Sequence, residues 1–257
     1  MSGSIGIING TGGVDYDDSK YDDLMRDSFC TQMSRSTSPD IREVCYIRGP
    51  GGDGFTTVRR ATQVFNWAKG QYARYPDSPV YLAGYSRGAW GVTMVAEWLK
   101  AEGKRVKAMF LFDPVRMQTN GAGKVVPSNV DAVYIARRMP NAPEMDKYDW
   151  HTSMLNASMN PVRKWWGTTA DKNNVPGWEK PFLGSHGALG GVGWRLVEED
   201  KKCQPAVADF MNRAFLNEKL SIHIDSLSFP SEFDGIQDTI DSAKTSVRTK
   251  FNSVFGN

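Results

Sequence analysis

The sequence has only three cysteines, Cys30, Cys45 and Cys203, scattered along 257 residues without a CxxC pair. An odd number of isolated cysteines argues against a disulfide framework and against a thiolate zinc site. We therefore expect synthesis in a reducing compartment. We expect neither a bound metal nor any other cofactor.

Long hydrophobic runs are also lacking, since none approaches the roughly 18 residues that a transmembrane helix requires. The opening stretch MSGSIGIINGTGG has neither the basic nor the apolar region of a signal peptide. The sequence thus predicts a protein that is cytoplasmic when synthesised. Export by a route that uses no signal peptide stays open.

The sequence also lacks an excess of either positive or negative charge. The chain has 31 basic and 29 acidic residues, a formal net charge of +2, and no run of lysine and arginine. It therefore gives no electrostatic reason to expect nucleic acid as a partner. The aspartates between positions 15 and 23 lack EF-hand spacing, so we interpret them as a solvated loop and not as a calcium site.

What is present in the first half is an alternation of short apolar runs and amphipathic patterns. Apolar residues recur every three or four positions in 56–75 and 89–101, which predicts helices. Shorter apolar runs predict strands at 5–8, 44–47, 80–83, 106–112 and 130–136. This alternation is typical of an α/β fold, with a mostly parallel sheet flanked by helices. The length suits a single domain spanning 1–257.

Two segments depart from this pattern. The stretch 140–181 is rich in proline, asparagine and tryptophan, and we interpret it as an insertion or lid over the carboxyl edge of the sheet. Within 216–257, apolar residues from Phe233 to Val254 follow a helical stripe. This stripe predicts a C-terminal helical segment that packs on the domain, with lipid contact as the alternative.

The motif GYSRG at 84–88 is the strongest chemical signal in the chain. A serine between glycines at minus two and plus two is typical of a tight strand-to-helix turn that exposes a nucleophile. The flanking glycines lack the Cβ atoms that would crowd such a turn. A predicted strand precedes the motif and a predicted helix follows it, so we interpret Ser86 as a nucleophile.

A serine nucleophile needs a base, and the chain has only His151, His186 and His223. In this type of fold the acid and then the histidine follow the serine along the chain. His186 lies in the glycine-rich stretch FLGSHGALGG, which suits a histidine beside an open site. We interpret His186 as the base, and the other two as structural.

The acid is predicted at the end of the strand that follows the nucleophile helix. Asp113 ends the run VKAMFLFD, at the sheet edge where Ser86 should emerge. A turn-forming aspartate before Pro114 is the plainer interpretation. Asp146 and Asp149 are the competing candidates for the acid.

An oxyanion needs backbone amides close to the serine. The amide of Arg87, at the start of the next helix, is one candidate. The turn NGTGG at 9–13 follows the first strand and offers others. It lacks the Gly-Lys-Ser/Thr ending of a Walker motif and the GxGxxG spacing, so nucleotide binding is poorly supported.

Four blocks of this sequence resemble the bacterial α/β-hydrolases that include phospholipase effectors of type VI secretion. They are NGTGG at 9–13, YIRGPGGDGF at 46–55, GYSRGAW at 84–90, and FDPV with FLGSHGALGG at 112–115 and 182–191. The resemblance implies an α/β-hydrolase fold with Ser86 as nucleophile, Asp113 as acid and His186 as base. It also implies that Thr11 and Gly12 lie near the oxyanion. A secretion or immunity partner and transient contact with a membrane surface would accompany such an effector.

The leading hypothesis is a serine hydrolase of carboxylic esters, with a small-molecule or lipid ester as substrate. Trp150, Trp165, Trp166, Trp178 and Phe182 could line an acyl pocket or lid, or could equally be packing residues. One alternative is an acyltransferase or thioesterase that uses the same three side chains. Another is a non-catalytic interaction protein on a hydrolase scaffold, which would place His186 beyond hydrogen-bond reach of Ser86.

Overall fold

The structure is a computed structural model of the full chain. It describes residues 2–11, 18–36, 38–50, 56–116, 122–139, 170–192 and 198–226.

A six-stranded sheet forms the centre of the molecule. Its strands are β1 (Gly3–Ile8), β2 (Ile41–Ile47), β3 (Val80–Tyr85), β4 (Val106–Phe112), β5 (Val130–Arg138) and β6 (Gly177–Phe182). Their order across the sheet is β2-β1-β3-β4-β5-β6, and every neighbouring pair is parallel. All carboxyl ends therefore meet at one edge.

Helices cover both faces of this sheet. The described ones are α1 (Asp18–Leu24), α2 (Phe29–Arg35), α3 (Thr56–Arg74), α4 (Arg87–Ala101), α5 (His186–Gly190) and α6 (Glu198–Asn217). Helices α3 and α4 pack on one face, whereas α2, α5 and α6 pack on the other. The predicted α/β class, with a parallel sheet flanked by helices, is confirmed.

The alternation of side chains along each strand separates two cores. In β4, Phe110 and Phe112 point to the face covered by α2, α5 and α6, while Met109 and Leu111 point to the face covered by α3 and α4. All four side chains are fully buried. Because successive residues of a strand face opposite sides, a strand covered on both faces has to be apolar throughout. This is why the continuous run VKAMFLF marks a central strand.

The structure differs from the prediction at the C-terminal end of the segment 140–181. Residues 140–169 lie outside the described part of the chain, but Gly177–Phe182 forms strand β6 and pairs with β5. The sequence GWEKPF has no apolar run, because β6 is an edge strand with four consecutive exposed residues. Pro181 is tolerated there since an edge strand needs fewer ladder bonds.

The C-terminal segment predicted from 216 also begins differently. The last helix, α6, ends at Asn217, and residues 220–226 run without helical structure. Ile222 and Ile224 are nonetheless buried against the core. The predicted stripe from Phe233 onwards lies outside the described residues.

The order of the strands reverses at one defined position. From β1 the chain passes to β2 on one side and then returns to β3 on the other side of β1. In open parallel sheets, ligands bind at the carboxyl ends of strands where the order reverses in this way. Here that position lies between the ends of β1 and β3.

In the ranges described above, no helix has the length and apolar character needed to cross a membrane.

Candidate active site

Ser86 occupies the turn between β3 and α4 in a strained backbone conformation. Its φ is 57° and its ψ is −126°, in the left-handed half of the map that residues other than glycine seldom occupy. Backbone hydrogen bonds hold this conformation. The Ser86 N–H donates to the carbonyl of Phe112 (2.9 Å), and the N–H of Val115 donates to the carbonyl of Ser86 (3.1 Å). The turn is therefore tied to the end of β4.

The two glycines of the motif are required by close backbone contacts. A Cβ on Gly88 would lie 2.2 Å from the carbonyl oxygens of Ile8 and Asn9, and a Cβ on Gly84 would lie 2.7 Å from the backbone of Gly88 and Ala89. Real Cβ atoms do not approach backbone atoms this closely. Helix α4 can therefore start directly against β1 only because position 88 has no side chain.

His186 connects the serine to a carboxylate. Its Nε2 lies 2.8 Å from Ser86 Oγ, and its Nδ1 lies 2.7 Å from Asp113 Oδ2. With the imidazole proton on Nδ1, that nitrogen donates to the carboxylate and Nε2 accepts from the serine hydroxyl. The imidazole side chain is 13% exposed, whereas the Asp113 side chain is fully buried. The serine, imidazole and carboxylate thus form one hydrogen-bonded chain from the edge of the site into the interior.

Asp113 directly follows β4 and is held in place by hydrogen bonds to β5. Its N–H donates to the carbonyl of Ala136 (2.7 Å), and its Oδ1 accepts from the N–H of Arg138 (3.0 Å). The φ of Asp113 is 40°, a conformation that aspartate tolerates better than most residues. Because one carboxylate oxygen is held by β5, the other is directed at His186.

The loop that carries His186 is held by three different elements. Arg138 Nε of β5 donates to the carbonyl of Gly184 (3.2 Å), and Ser185 N–H donates to Asp200 Oδ1 of α6 (2.6 Å). Tyr85 of β3 donates its hydroxyl hydrogen to the carbonyl of His186 (2.9 Å). Ser185 also caps α5, since its side chain accepts from Ala188 N–H. Gly184, Ser185 and His186 each form a backbone hydrogen bond with a different element. These bonds hold the backbone that carries the imidazole.

Tyr85 contacts His186 directly, and the sequence interpretation missed this residue. Its ring centroid lies 4.9 Å from that of His186, with an angle of 32° between the planes. A Cβ on Gly10 or on Gly190 would lie within 2.4 Å of this ring. The ring therefore fills a slot between two glycine backbones. The available signal was its position, directly before the serine in GYSRG.

The predicted oxyanion residues are only partly described. Thr11 and Arg87 are brought together, since Arg87 Nε donates to Thr11 Oγ1 at 2.6 Å, and the Arg87 side chain is almost fully buried. The backbone of Arg87 begins α4 directly after Ser86. Gly12 lies outside the described residues. The roles of these amides stay predictions.

Asn9 holds the turn after β1 against α2 and β2. Its fully buried side-chain amide contacts the hydroxyls of Ser28 (2.8 Å), Thr31 (3.1 Å) and Tyr46 (2.9 Å). Its Oδ1 accepts from the N–H of Gly10 (2.8 Å). We had interpreted Asn9 only as a turn residue. In the structure it fixes the backbone opposite Ser86.

Of the remaining histidine and acid candidates, His223 is the one that the structure describes. His151, Asp146 and Asp149 lie outside the described residues. His223 is exposed and contacts Asp225 (3.0 Å), whereas the carboxylate of Asp113 is fully buried.

The aromatic residues predicted to line an acyl pocket are described at two positions. Trp178 packs edge-on against Tyr134 (5.2 Å between centroids), and Phe182 packs against Phe210 (5.7 Å). Both residues lie on β6, and each packs against the ring of an aromatic residue from a neighbouring element. Trp150, Trp165 and Trp166 lie outside the described residues. Among the side chains that are described, no group of three or more His, Cys, Asp or Glu is placed to hold a metal ion.

The buried thiol of Cys203 lies near two carboxylates, one of which is Asp113. Burial raises the pKa of the Cys203 thiol to about 12, and the nearby carboxylates of Asp200 and Asp113 add to this shift. Cys203 lies on α6, where its sulfur would meet a Cβ on Gly184 at 2.5 Å. Cys203 therefore packs directly against the loop that carries His186.

No protein-family model and no curated protein sequence matches this chain. Solved structures do show likeness. A NocB thioesterase domain in covalent complex with a fluorophosphonate nocardicin G analogue is 15% identical, with a TM-score of 0.45, over 84% of this chain and 95% of that one. A Pyrobaculum calidifontis esterase is 12% identical, with a TM-score of 0.41, over 83% and 78%.

A third structure, the Francisella virulence factor BioJ, is 15% identical to this chain with a TM-score of 0.43, over 83% of this chain and 77% of that one. Similarity of this degree does not establish what the chain acts on. The sheet, the strained serine between β3 and α4, and the chain order serine, aspartate, histidine are the features of an α/β-hydrolase fold.

Proposed function

We propose that this protein is a serine hydrolase of carboxylic esters that works through an acyl-enzyme. The observation that carries the proposal is the continuous hydrogen-bonded chain from Ser86 Oγ through His186 to the buried Asp113, with 2.8 Å and 2.7 Å separations. Serine hydrolases on unrelated folds share this arrangement and its roles. The interaction-protein alternative required His186 beyond hydrogen-bond reach of Ser86, and the observed distance removes that support.

In the first half of the reaction, Ser86 Oγ attacks the ester carbonyl while its proton passes to His186 Nε2. The Asp113 carboxylate accepts from Nδ1–H, so it holds the imidazole in the required tautomer and stabilises the imidazolium that forms. The protonated Nε2 then gives its proton to the departing alcohol oxygen. The products of this half are the alcohol and an ester of Ser86.

The negative charge on the carbonyl oxygen develops beside the first turn of α4. The backbone N–H groups of Arg87, Thr11 and Gly12 are the ones that we assign to it. The side chain of Arg87 is bonded to Thr11, which ties the two contributing segments together. Each such donor contributes a factor of about 10² or more in kcat.

In the second half, water replaces the alcohol. His186 Nε2 takes a proton from the water as it attacks the acyl carbonyl, and returns that proton to Ser86 Oγ as the carboxylic acid leaves. Transfer of the acyl group to another alcohol follows the same proton path. In a thioesterase a thiol leaves in place of the alcohol in the first half, so both alternatives use the same atoms of the protein. Product analysis with added alcohols or thioesters distinguishes them.

The finer proposal is a lipid or acyl ester as substrate, with phospholipid as one form of it. The support is the resemblance of four sequence blocks to those of type VI phospholipase effectors. That resemblance also implies a secretion or immunity partner and contact with a membrane surface. A series of p-nitrophenyl esters of increasing acyl length, followed by phospholipid vesicles, tests this step separately from the chemistry.

The test of the central proposal is covalent labelling by a fluorophosphonate. We expect wild-type protein to be labelled at Ser86, and Ser86→Ala to show neither labelling nor ester hydrolysis. Ser4→Ala is the matched control, since Ser4 is a buried serine on β1 that bonds Gln71. Absence of labelling in folded wild-type protein, or equal labelling of Ser86→Ala, would contradict the proposal.

A further inference from the structure

The peptide unit between Gly184 and Ser185, directly before His186, is hydrogen-bonded at both of its polar atoms. Arg138 Nε of β5 donates to the Gly184 carbonyl (3.2 Å), and the Ser185 N–H donates to Asp200 Oδ1 of α6 (2.6 Å). In a planar trans peptide the carbonyl and the N–H point in opposite directions. Arg138 and Asp200 therefore hold this unit from opposite sides, one from the sheet and one from the covering helix.

Both of these residues are ionisable and almost fully buried, since Arg138 and Asp200 are each 1% exposed. The guanidinium bonds the carbonyl oxygen, which is the negative end of the peptide dipole, and the carboxylate bonds the N–H, which is the positive end. Hydrogen bonds to charged groups are stronger than neutral ones, and an interior of low polarity strengthens them further. The orientation of this peptide plane is thus defined more firmly than two neutral hydrogen bonds would define it.

Helix α6 packs directly on this peptide because position 184 has no side chain. A Cβ on Gly184 would lie 2.5 Å from Cys203 Sγ and 3.2 Å from Asp200 Oδ1. Asp200 and Cys203 are three positions apart, so they lie on the same face of α6. That face is therefore in direct contact with the backbone of the loop.

Arg138 bonds the predicted acid as well as the loop of the predicted base. Its backbone N–H donates to Asp113 Oδ1 (3.0 Å), while its side chain bonds Gly184. The other oxygen of Asp113 lies 2.7 Å from His186 Nδ1. One residue of β5 therefore links the carboxylate to the backbone that carries the imidazole.

We propose that Arg138 and Asp200 are positioning residues for the proposed hydrolysis, because they hold the peptide that places the His186 imidazole for proton transfer. The proposal rests on the proposed function, since this placement affects turnover only if the imidazole transfers the proton. A displacement of about 1 Å can lower a rate about 10²-fold. The imidazole acts in the chemical step, so the effect belongs in kcat and not in KM.

Asp200→Ala tests the side of the peptide that faces the helix. We expect kcat for a p-nitrophenyl ester to fall about ten- to a hundredfold with KM nearly unchanged. Asp200→Asn keeps an oxygen that can accept from the Ser185 N–H, so it should recover most of this loss. Asp209→Ala is the matched control, since Asp209 is an exposed carboxylate of the same helix, and it should retain the wild-type kcat.

Arg138→Met tests the side of the peptide that faces the sheet. It removes the side-chain donor and leaves the backbone N–H from which the acid accepts, and we expect kcat to fall by a similar factor. Arg137→Met is the control, because Arg137 precedes it on β5 and bonds Glu179. Since both contacts act on one peptide, the double variant Arg138→Met/Asp200→Ala should lose less than the product of the two single losses.

Gly184→Ala tests the contact with α6 without removing a charge. The added methyl group would meet Cys203 Sγ and push the loop away from the helix. We expect a fall in kcat at nearly unchanged KM here too. Urea denaturation identifies the variants that are folded under assay conditions, so Gly184→Ala and Asp200→Asn decide the matter if Asp200→Ala does not fold.

A proton NMR measurement separates this proposal from the hydrolase assignment, because it needs no catalysis. The Nδ1–H of an imidazole that donates to a carboxylate gives a strongly deshielded resonance, which its loss in His186→Ala assigns. We expect Asp200→Ala to shift or broaden this resonance and Asp209→Ala to leave it unchanged. If the wild type hydrolyses no ester but the resonance depends on Asp200, the hydrolase proposal fails alone.

Three results would overturn the positioning proposal. The first is a wild-type kcat and a wild-type resonance in folded Asp200→Ala and Gly184→Ala. The second is an equal loss of kcat in Asp209→Ala. The third is a loss that appears in KM alone, which would assign Asp200 to substrate binding.

Discussion

The hydroxyl of Tyr85 donates a 2.9 Å hydrogen bond to the backbone carbonyl of His186, 101 positions further along the chain. Tyr85 is also the residue directly before Ser86. One side chain therefore joins the turn that carries the nucleophile to the loop that carries the base. The ring packs between the backbones of Gly10 and Gly190, so we expect this connection to help set the distance between Oγ and Nε2.

Removal of the Tyr85 hydroxyl should reduce turnover and leave substrate binding intact. We expect Tyr85→Phe to lower kcat about five- to tenfold with KM nearly unchanged, because the ring stays in place while the His186 carbonyl loses its donor. Steady-state kinetics with a p-nitrophenyl ester measures this split, and the pH dependence of fluorophosphonate labelling reports on the imidazole.

The control for this change is Tyr134→Phe. Tyr134 also lies on a central strand, and its hydroxyl bonds Glu218 and Asn217 well away from Ser86. We expect this variant to lose stability with kcat unaffected. Equal kinetic effects in the two variants would mean that Tyr85 is merely structural.

Gly88, two residues after the nucleophile, should not tolerate any side chain. Gly88→Ala would place a Cβ 2.2 Å from the carbonyl oxygens of Ile8 and Asn9, so we expect a loss of at least about 2 kcal/mol in the free energy of unfolding. Gly70→Ala in α3 is the matched control, since a Cβ there meets nothing within 4 Å. It should stabilise the protein by about 1 kcal/mol. Urea denaturation measures both, and a neutral Gly88→Ala would contradict the elbow packing.

The carboxylate of Asp113 should select the tautomer of the His186 imidazole, in addition to holding the loop that carries His186. In Asp113→Asn the oxygen can still accept from Arg138 N–H, but the amide donates to His186 Nδ1 and moves the imidazole proton to Nε2. That nitrogen can then no longer accept from Ser86, and we expect kcat to fall about 10⁴-fold. Asp131→Asn, which loses an exposed ion pair with Arg105, should retain wild-type kcat. A fall of less than tenfold in Asp113→Asn would point to another acid.

The cysteine thiols should be unreactive in the folded protein. Burial raises the pKa of Cys203 to about 12 and that of Cys45 to about 11, so the folded state favours the protonated thiols. This contribution to stability is complete below the ordinary pKa of 9.0 and is lost as the pH rises towards 12. At pH 8 we expect iodoacetamide to label none of the three cysteines quickly in native protein, and all three in urea. Fast labelling of Cys203 in native protein would contradict its burial.

The central strands and the nucleophile turn could be predicted because their signals are local. The runs at 80–83 and 106–112 are apolar since both faces of β3 and β4 are covered. The glycines of GYSRG are required by contacts within the turn and with β1. Strand β6 could not be predicted in this way, since an exposed edge strand such as GWEKPF has no apolar pattern to distinguish it from a loop.

The site required information of a different kind. The order serine, aspartate, histidine indicated Asp113 and His186 as candidates, but the sequence left Asp146 and Asp149 open as acids. Tyr85 and Asn9 showed no signal beyond their positions, because their partners lie in other elements.

By itself, the sequence determined which side chain could act as a nucleophile, and that a strand and a helix would meet at it. Local periodicity and the absence of Cβ atoms are properties of neighbouring residues, and a sequence records them directly. Only the tertiary structure decided which carboxylate faces His186, and that Tyr85 holds this histidine in place. Distances between residues about a hundred positions apart depend on how the strands are ordered and on what packs between them.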